Sequence, residues 1–118
     1  LICSISDKNL TVLYGDTINK IELKNPSLLP YFEALFNSQL FDWVFRKTSS
    51  NNHASCSEII LLPVVLPDDL SKLNQLVMKR KSTTGSEISA LDNRIDDIIY
   101  NTYGLSLDER KLIQNYYV

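Results

Sequence analysis

The clearest folding signal in this chain is an apolar stripe at helical spacing in its last third. The residues on the stripe are Ile88, Leu91, Ile95, Ile98, Ile99 and Thr102. Their spacing of three or four residues predicts an amphipathic helix with one apolar face. Gly104 stands where a left-handed C-cap would end that helix. Ser106 and Glu109 then have the spacing of a capping box, so we expect a last helix to begin there.

Two earlier stretches also have helical spacing. In the first, Asn25 and Pro26 favour a helix start, with Pro30 as the alternative first turn, and the helix runs to about Arg46. In the second, Asp68 is the expected cap of a helix that ends in three cations. The apolar residues of the two stretches are Phe32, Leu35, Phe36, Leu40, Trp43 and Val44, followed by Leu70, Leu73, Leu76 and Val77.

The remaining segments favour β-structure and loops. Residues 2–23 hold two short apolar runs around a turn at 14–17, which predicts a small antiparallel sheet. Residues 47–57 are polar and small, as in a loop, and residues 58–65 form a β-branched and Leu-rich run that predicts a strand, with Pro63 near a sheet edge. The expected fold is therefore α+β, a small antiparallel or mixed sheet packed with an amphipathic helix and followed by a C-terminal helical segment. We expect a recognition portion over 1–81 and a helical spacer over 86–118.

Composition excludes several classes of protein. A chain of 118 residues with 44% hydrophobic residues suits one domain with a real core and does not suit a disordered tail. The longest apolar run covers residues 59–66 and is interrupted by Pro63, so it is too short to span a membrane. Two cysteines with no paired spacing indicate a reducing cytoplasm. Because the sequence starts at Leu1, we expect it to be a piece of a longer polypeptide.

No arrangement of residues predicts catalysis or a metal site. Cys56 and His53 could form a nucleophile and base, but no oxyanion-hole motif accompanies them, and one histidine with two cysteines cannot complete a tetrahedral zinc site. A restriction-type nuclease would use Pro-Asp and Glu-x-Lys, present at 67–68 and 109–111, but both fragments stand at helix starts, where their carboxylates are expected to cap. Asp92, Asp96 and Asp97 are expected on a solvated face. We therefore predict no catalytic residue, metal ligand or cofactor in this chain.

Charge is unevenly distributed along the chain, although the net charge is only -2. Residues 46–85 hold six Lys and Arg against three Asp and Glu, whereas residues 86–118 hold three against six. Within the basic part, Arg46 and Lys47 lead into a Ser, Asn and His loop, a residue set that binds phosphates and base edges.

Three segments resemble a known DNA target-recognition region. Residues 30–41, PYFEALFNSQLF, resemble its "yllalLNSkl" helix; residues 60–67, ILLPVVLP, resemble its "lPvplP" segment; and residues 91–109, LDNRIDDIIYNTYGLSLDE, resemble its closing "leieIDelVYeLYgLteeE" element. Residues 16–18 resemble the "DTiy" turn that often precedes the first helix. The combination is similar to the Taq-like C-terminal specificity domain of adenine-specific DNA methyltransferases and fused restriction–modification enzymes, of type IIG or type I, over roughly residues 10–118.

The resemblance implies a non-catalytic module that positions a bacterial restriction–modification enzyme on double-stranded DNA. Methyl transfer or cleavage would come from upstream domains that bind S-adenosylmethionine or Mg²⁺. The family's catalytic Asn-Pro-Pro-Tyr motif does not occur in this sequence. The residues expected to contact DNA are Arg46, Lys47, Asn51, Asn52 and His53, with Lys79, Arg80 and Lys81 for the phosphates.

A second hypothesis remains open. The amphipathic stripe of the helix near residues 91–102 and the acidic C-terminal part also suit a helical docking module, which would join subunits or domains of such a complex while DNA is read elsewhere.

Overall fold

Residues 3–5, 20–48 and 56–117 are described by a computed structural model of the chain. Within these ranges the structure is helical, and none of these residues lies in a β-strand. The α+β prediction is therefore wrong for the described part of the chain. A 3₁₀ turn, Pro26–Leu28, precedes the α-helices, which are α1 (Leu29–Phe36), α2 (Gln39–Thr48), α3 (Cys56–Ile60), α4 (Leu70–Lys81), α5 (Glu87–Thr102) and α6 (Leu107–Tyr116).

The predicted strand over residues 58–65 is replaced by the end of α3 and an irregular segment. A strand needs a neighbour for its backbone, and residues 20–23, the described end of the predicted N-terminal sheet, are irregular as well. Pro63 also removes one donor from any ladder. Most of the predicted N-terminal sheet, residues 6–19, and most of the predicted loop, residues 49–55, lie outside the described residues.

The first long helix of the prediction is divided in two at Asn37 and Ser38. Ser38 is buried, its hydroxyl donates to the Leu35 carbonyl (2.6 Å), and its oxygen accepts from the Phe41 amide (3.2 Å). The second bond is the standard N-cap bond to the third residue of a helix, so Ser38 starts α2 as a separate helix. Helical periodicity continued through this point and therefore did not reveal the break.

The helix ends follow the sequence signals closely. Asn25 caps the 3₁₀ turn, through its side-chain oxygen and the Ser27 amide. The cap of α4 is Asp69, whose carboxylate accepts from the Lys72 amide (3.0 Å), so the predicted cap Asp68 was one residue early.

The end of α5 and the start of α6 are as predicted. Gly104 has φ +66°, which is the left-handed conformation expected after α5. The Ser106 hydroxyl accepts from the Glu109 amide (3.2 Å), and the Glu109 carboxylate accepts from the Ser106 amide (2.9 Å). These reciprocal bonds form the predicted capping box.

One hydrophobic core joins the helices. α1 packs on α2 and α4, α4 also packs on α5, and α6 packs on α2. Of the apolar residues in the first helical stretch, Leu35, Phe36 and Leu40 are buried in this core, while Phe32 and Trp43 are half-buried at its edge. The buried residues of the cluster are Tyr31, Leu35, Phe36, Leu40, Phe41, Leu62, Leu73, Leu76, Val77, Leu91, Ile95, Ile99, Tyr100 and Ile113.

No helix in the described ranges is both long enough and apolar enough to cross a membrane.

Candidate nucleic-acid interface

The cations predicted to contact DNA occupy two different places in the fold. Arg46 and Lys47 lie at the end of α2, whose neighbours are α1 and α6. The second group of cations ends α4, whose neighbours are α1 and α5, and consists of Lys79, Arg80 and Lys81. The predicted base-reading residues Asn51, Asn52 and His53 lie outside the described residues.

Arg46 is held against its own helix. Its Nε lies 2.7 Å from the Asp42 Oδ2, one helical turn earlier. The Tyr117 hydroxyl, from beyond the end of α6, donates to the same carboxylate oxygen (2.6 Å). The ion pair partly neutralises the charge of Arg46. The side chain is still 57% exposed, so its guanidinium group is accessible to solvent.

Lys47 lies among aromatic rings. Its Nζ is 5.0 Å from the ring centre of Tyr116 and 5.9 Å from that of Trp43. The electron-rich faces of these rings attract the ammonium group but leave its net charge uncompensated. Lys47 and the C-terminal tyrosines of α6 therefore form one surface, which joins α2 to α6.

Arg80 and Lys81 make ion pairs between helices. Arg80 Nε lies 2.8 Å from Asp92 Oδ1 and connects α4 to α5. Lys81 Nζ lies 2.8 Å from Glu33 Oε1 and connects α4 to α1. Both cations therefore have structural partners, which the sequence did not predict because the partners are distant in the chain.

Lys79 differs from its two neighbours. Its side chain is exposed and has no ion pair or hydrogen bond within the described residues. It lies in the last turn of α4, where a cation also suits the negative end of the helix dipole. Arg80 and Lys81 are in ion pairs, so among the three predicted phosphate contacts on α4 only Lys79 makes no ion pair within the described residues.

A polar cleft of about 610 Å³ separates the ends of α1 and α4 from α5. Its charged lining residues are Glu33, Arg80, Lys81, Asp92 and Asp96. Burial, together with the nearby Asp92 and Asp97 carboxylates, raises the pKa of Asp96 to about 6. The sequence placed Asp92 and Asp96 on a solvated face. In the fold both are half-buried, because α4 packs across that side of α5.

Asn37 holds the N-terminal segment at the edge of this cleft. Its side-chain oxygen accepts from the Cys3 amide (2.8 Å), and its amide nitrogen donates to the Cys3 carbonyl (2.7 Å). Next to it, the Glu33 carboxylate accepts from the Ile5 amide (3.0 Å). These bonds give Asn37 a structural role, because they tie the N-terminal segment to the end of α1.

Two tyrosine hydroxyls bind the irregular segment that follows α3. The Tyr103 hydroxyl donates to the Pro63 carbonyl (2.6 Å) and accepts from the Val65 amide (3.0 Å). The Tyr31 hydroxyl donates to the Val65 carbonyl. Burial raises the pKa of both phenols, so both remain protonated donors at neutral pH. The sequence did not predict these contacts, since an aromatic residue at helical spacing indicates only core packing.

The catalytic alternatives gain no support from the described residues. The Glu109 carboxylate, half of the nuclease-like pair, is used in the capping box of α6. Within ranges 3–5, 20–48 and 56–117, no group of three or more His, Cys, Asp or Glu side chains could hold a metal ion. His53, the base of the Cys–His alternative, lies outside those ranges.

Comparison with known proteins found no matching family model, no matching curated protein and no matching solved structure.

Proposed function

We propose that this chain is a non-catalytic DNA target-recognition fragment of a restriction–modification enzyme. In this role it positions a methyltransferase or endonuclease on double-stranded DNA, and the upstream domains of the enzyme bind S-adenosylmethionine or Mg²⁺. The proposal rests on the resemblance of three separate segments to the specificity region of such enzymes.

The observation that carries the proposal is that these three segments meet at one point. Tyr31 comes from the first segment, Val65 from the second and Tyr103 from the third, and hydrogen bonds join all three. The contacts therefore support treating the three stretches as parts of one module.

The geometry also narrows the choice of phosphate contacts. Reversing the charge of Arg80 or Lys81 would place two like charges beside each other, at Asp92 or Glu33, and would disturb the fold. Lys79 has no such partner within the described residues. Reversing the charge of Lys79 should therefore leave the fold intact, so that any loss of DNA binding can be assigned to the lost cation.

The test measures the affinity of the chain for labelled duplex DNA by fluorescence anisotropy across a series of salt concentrations. Affinity for a polyanion falls with salt because bound cations release counterions, with a log–log slope of about -0.9 per phosphate contact. We expect Lys79→Glu to weaken binding and to reduce the steepness of that slope by about one contact.

Lys72→Glu is the matched control, because Lys72 is an exposed lysine in the first turn of the same helix. It makes the same change in net charge and should leave the slope unchanged. Equal losses in the two variants would indicate a general charge effect, and unchanged binding by Lys79→Glu would contradict the proposed contact.

The docking hypothesis is supported by a different observation. The α5 stripe that suggested it packs into the core of this chain, but α6 leaves Leu107 and Leu112 72% and 63% exposed. Under this second candidate, Leu107→Lys combined with Leu112→Lys would lower the thermal stability of the complete enzyme, because a covered surface would gain charge. The stability of the isolated chain would not change, and DNA affinity would not respond to Lys79→Glu.

A further inference from the structure

The cleft of about 610 Å³ lies against one side of α5. The residues of α5 that line it are Ser89, Asp92, Asn93 and Asp96, whose spacing of three or four residues puts them on one face of the helix. A polar helix face ordinarily contacts bulk solvent. Here it is turned toward the ends of α1 and α4, across a space within the size range of small-molecule sites, roughly 300–1,000 Å³.

The charges that line the cleft do not balance. Three carboxylates stand against two cations. Asp92 lies 2.8 Å from Arg80, and Glu33 lies 2.8 Å from Lys81, so both cations are in ion pairs. The third carboxylate, Asp96, has no ion pair or hydrogen bond within the described residues. One negative charge therefore faces the cleft without a partner when Asp96 is ionised.

The surroundings of Asp96 favour a visiting cation. Its side chain is half-buried, and burial and neighbouring carboxylates raise its pKa to about 6, so the group is mostly ionised at neutral pH but poorly stabilised. A cation that reached it would relieve both effects. The titratable and charged groups around it are Asp92, Asp97 and Tyr100 on α5, Arg80 and Lys81 on α4 and Glu33 on α1.

The cleft also has an apolar side. Ala34, Val77 and Ile95 line it, one from each of the three helices. Val77 and Ile95 belong to the hydrophobic core and are only 4% and 7% exposed, so the cleft reaches down to core surface. An alkyl chain can cover such surface while its charged end stays in polar surroundings.

We propose that the cleft binds a small organic cation, a primary ammonium group on an alkyl chain, with the ammonium on the Asp96 carboxylate and the alkyl chain against Val77 and Ile95. An ammonium group donates three hydrogen bonds. The side-chain oxygens of Asn93 and Gln39 are further acceptors in the same cleft, since neither side chain has a hydrogen bond in the described part of the chain. This inference does not rest on the proposed function in DNA recognition.

An NMR titration of the isotope-labelled chain tests the site, with n-butylammonium chloride as the probe and sodium chloride at the same ionic strength as the reference. We expect saturable chemical-shift changes at Val77, Ile95 and Asp96 that sodium chloride does not reproduce.

A second probe, Nα-acetyl-lysine methylamide, carries the same ammonium and alkyl groups. Tighter binding of this compound than of n-butylammonium would assign the cleft to a lysine side chain of another polypeptide segment. Equal or weaker binding would assign it to a free amine.

Asp96→Asn separates the proposed ion pair from a general charge effect. It removes the charged acceptor and keeps the shape of the side chain, so we expect affinity for n-butylammonium to fall about tenfold to a hundredfold. Asp68→Asn is the matched control, because Asp68 is an exposed carboxylate with no ion pair or hydrogen bond within the described residues. It makes the same change in net charge and should leave the affinity unchanged.

The dependence on pH provides a further readout. Binding requires an ionised Asp96, so with a pKa of about 6 we expect affinity to fall about tenfold from about pH 7.5 to about pH 5. By the same linkage, saturating n-butylammonium should lower the pKa of Asp96, measured from its carboxyl carbon shift. Shifts that do not saturate, an equal effect of sodium chloride, full affinity in Asp96→Asn, or binding that is independent of pH would each overturn the proposal.

Discussion

The Tyr103 hydroxyl connects the end of α5 to the segment that follows α3 through two hydrogen bonds. Removing it leaves the Pro63 carbonyl and the Val65 amide without that partner. Each hydrogen bond contributes about 1 kcal/mol, so we expect Tyr103→Phe to lower the free energy of unfolding by about 1–3 kcal/mol, measured by urea denaturation.

Tyr116→Phe is the control for that substitution. The Tyr116 ring contacts Lys47, and its side chain is 46% exposed with no hydrogen bond from its hydroxyl in the described part of the chain. We expect a change within about 0.5 kcal/mol. An equal loss in both variants would contradict the role given to Tyr103.

Asp96 makes the stability depend on pH. Its pKa is raised to about 6, whereas an unfolded Asp titrates near 4. Between these values the folded state holds more protons than the unfolded state, so stability falls as pH rises from about 4 to about 6. Arg80 and Lys81 line the same cleft but are paired with Asp92 and Glu33.

We therefore expect Asp96→Asn to flatten this dependence and to raise the free energy of unfolding at pH 7 by roughly 1–2 kcal/mol, a figure reduced for water screening of a partly exposed carboxyl. Urea denaturation at several pH values measures both effects. Asp68→Asn is the control, since the Asp68 side chain is exposed and has no ion pair or hydrogen bond within the described residues. A native profile that is flat from pH 4 to 6 would contradict the assignment.

At the scale of the elements, caps were the most predictable features. The Ser106 and Glu109 spacing and the position of Gly104 depend on residues close together in sequence, and both predictions are confirmed. The predicted strand at residues 58–65 depended on a distant partner that no local pattern could supply. The break at Ser38 was also missed. The apolar residues around it keep their helical spacing, and a serine fits that spacing equally well inside one helix or at the start of the next.

The capping box of α6 provides a test at this scale. Ser106→Ala removes the acceptor of the Glu109 amide, so we expect a loss of about 1 kcal/mol in the free energy of unfolding and fraying of the first turn of α6. Ser71→Ala, at an exposed position inside α4, is the control and should be neutral within about 0.5 kcal/mol. Hydrogen exchange of the first amides of α6 locates the effect, and unchanged protection there would contradict it.

At the scale of the whole molecule, some of the charged residues that are unevenly distributed along the sequence form ion pairs with one another in the fold. The Arg80–Asp92 pair joins the basic middle of the chain to its acidic end, and Arg110 lies 3.9 Å from Asp97 within that end. Counting charges along the sequence could identify the basic region, but it could not show which of its cations would form ion pairs in the fold. Of the five cations predicted to contact DNA, Arg46, Arg80 and Lys81 are in ion pairs, whereas Lys47 and Lys79 have none within the described residues.

We propose that this chain belongs to a restriction–modification enzyme that acts on DNA. The decisive measurement is to read the coding DNA immediately upstream of the codon for Leu1. We expect the same open frame to encode an adenine-methyltransferase motif of the form Asn/Asp-Pro-Pro-Tyr/Phe, with a nuclease or helicase farther upstream or in an adjacent gene. A frame that encodes no nucleic-acid chemistry would contradict the claim and would favour the docking function.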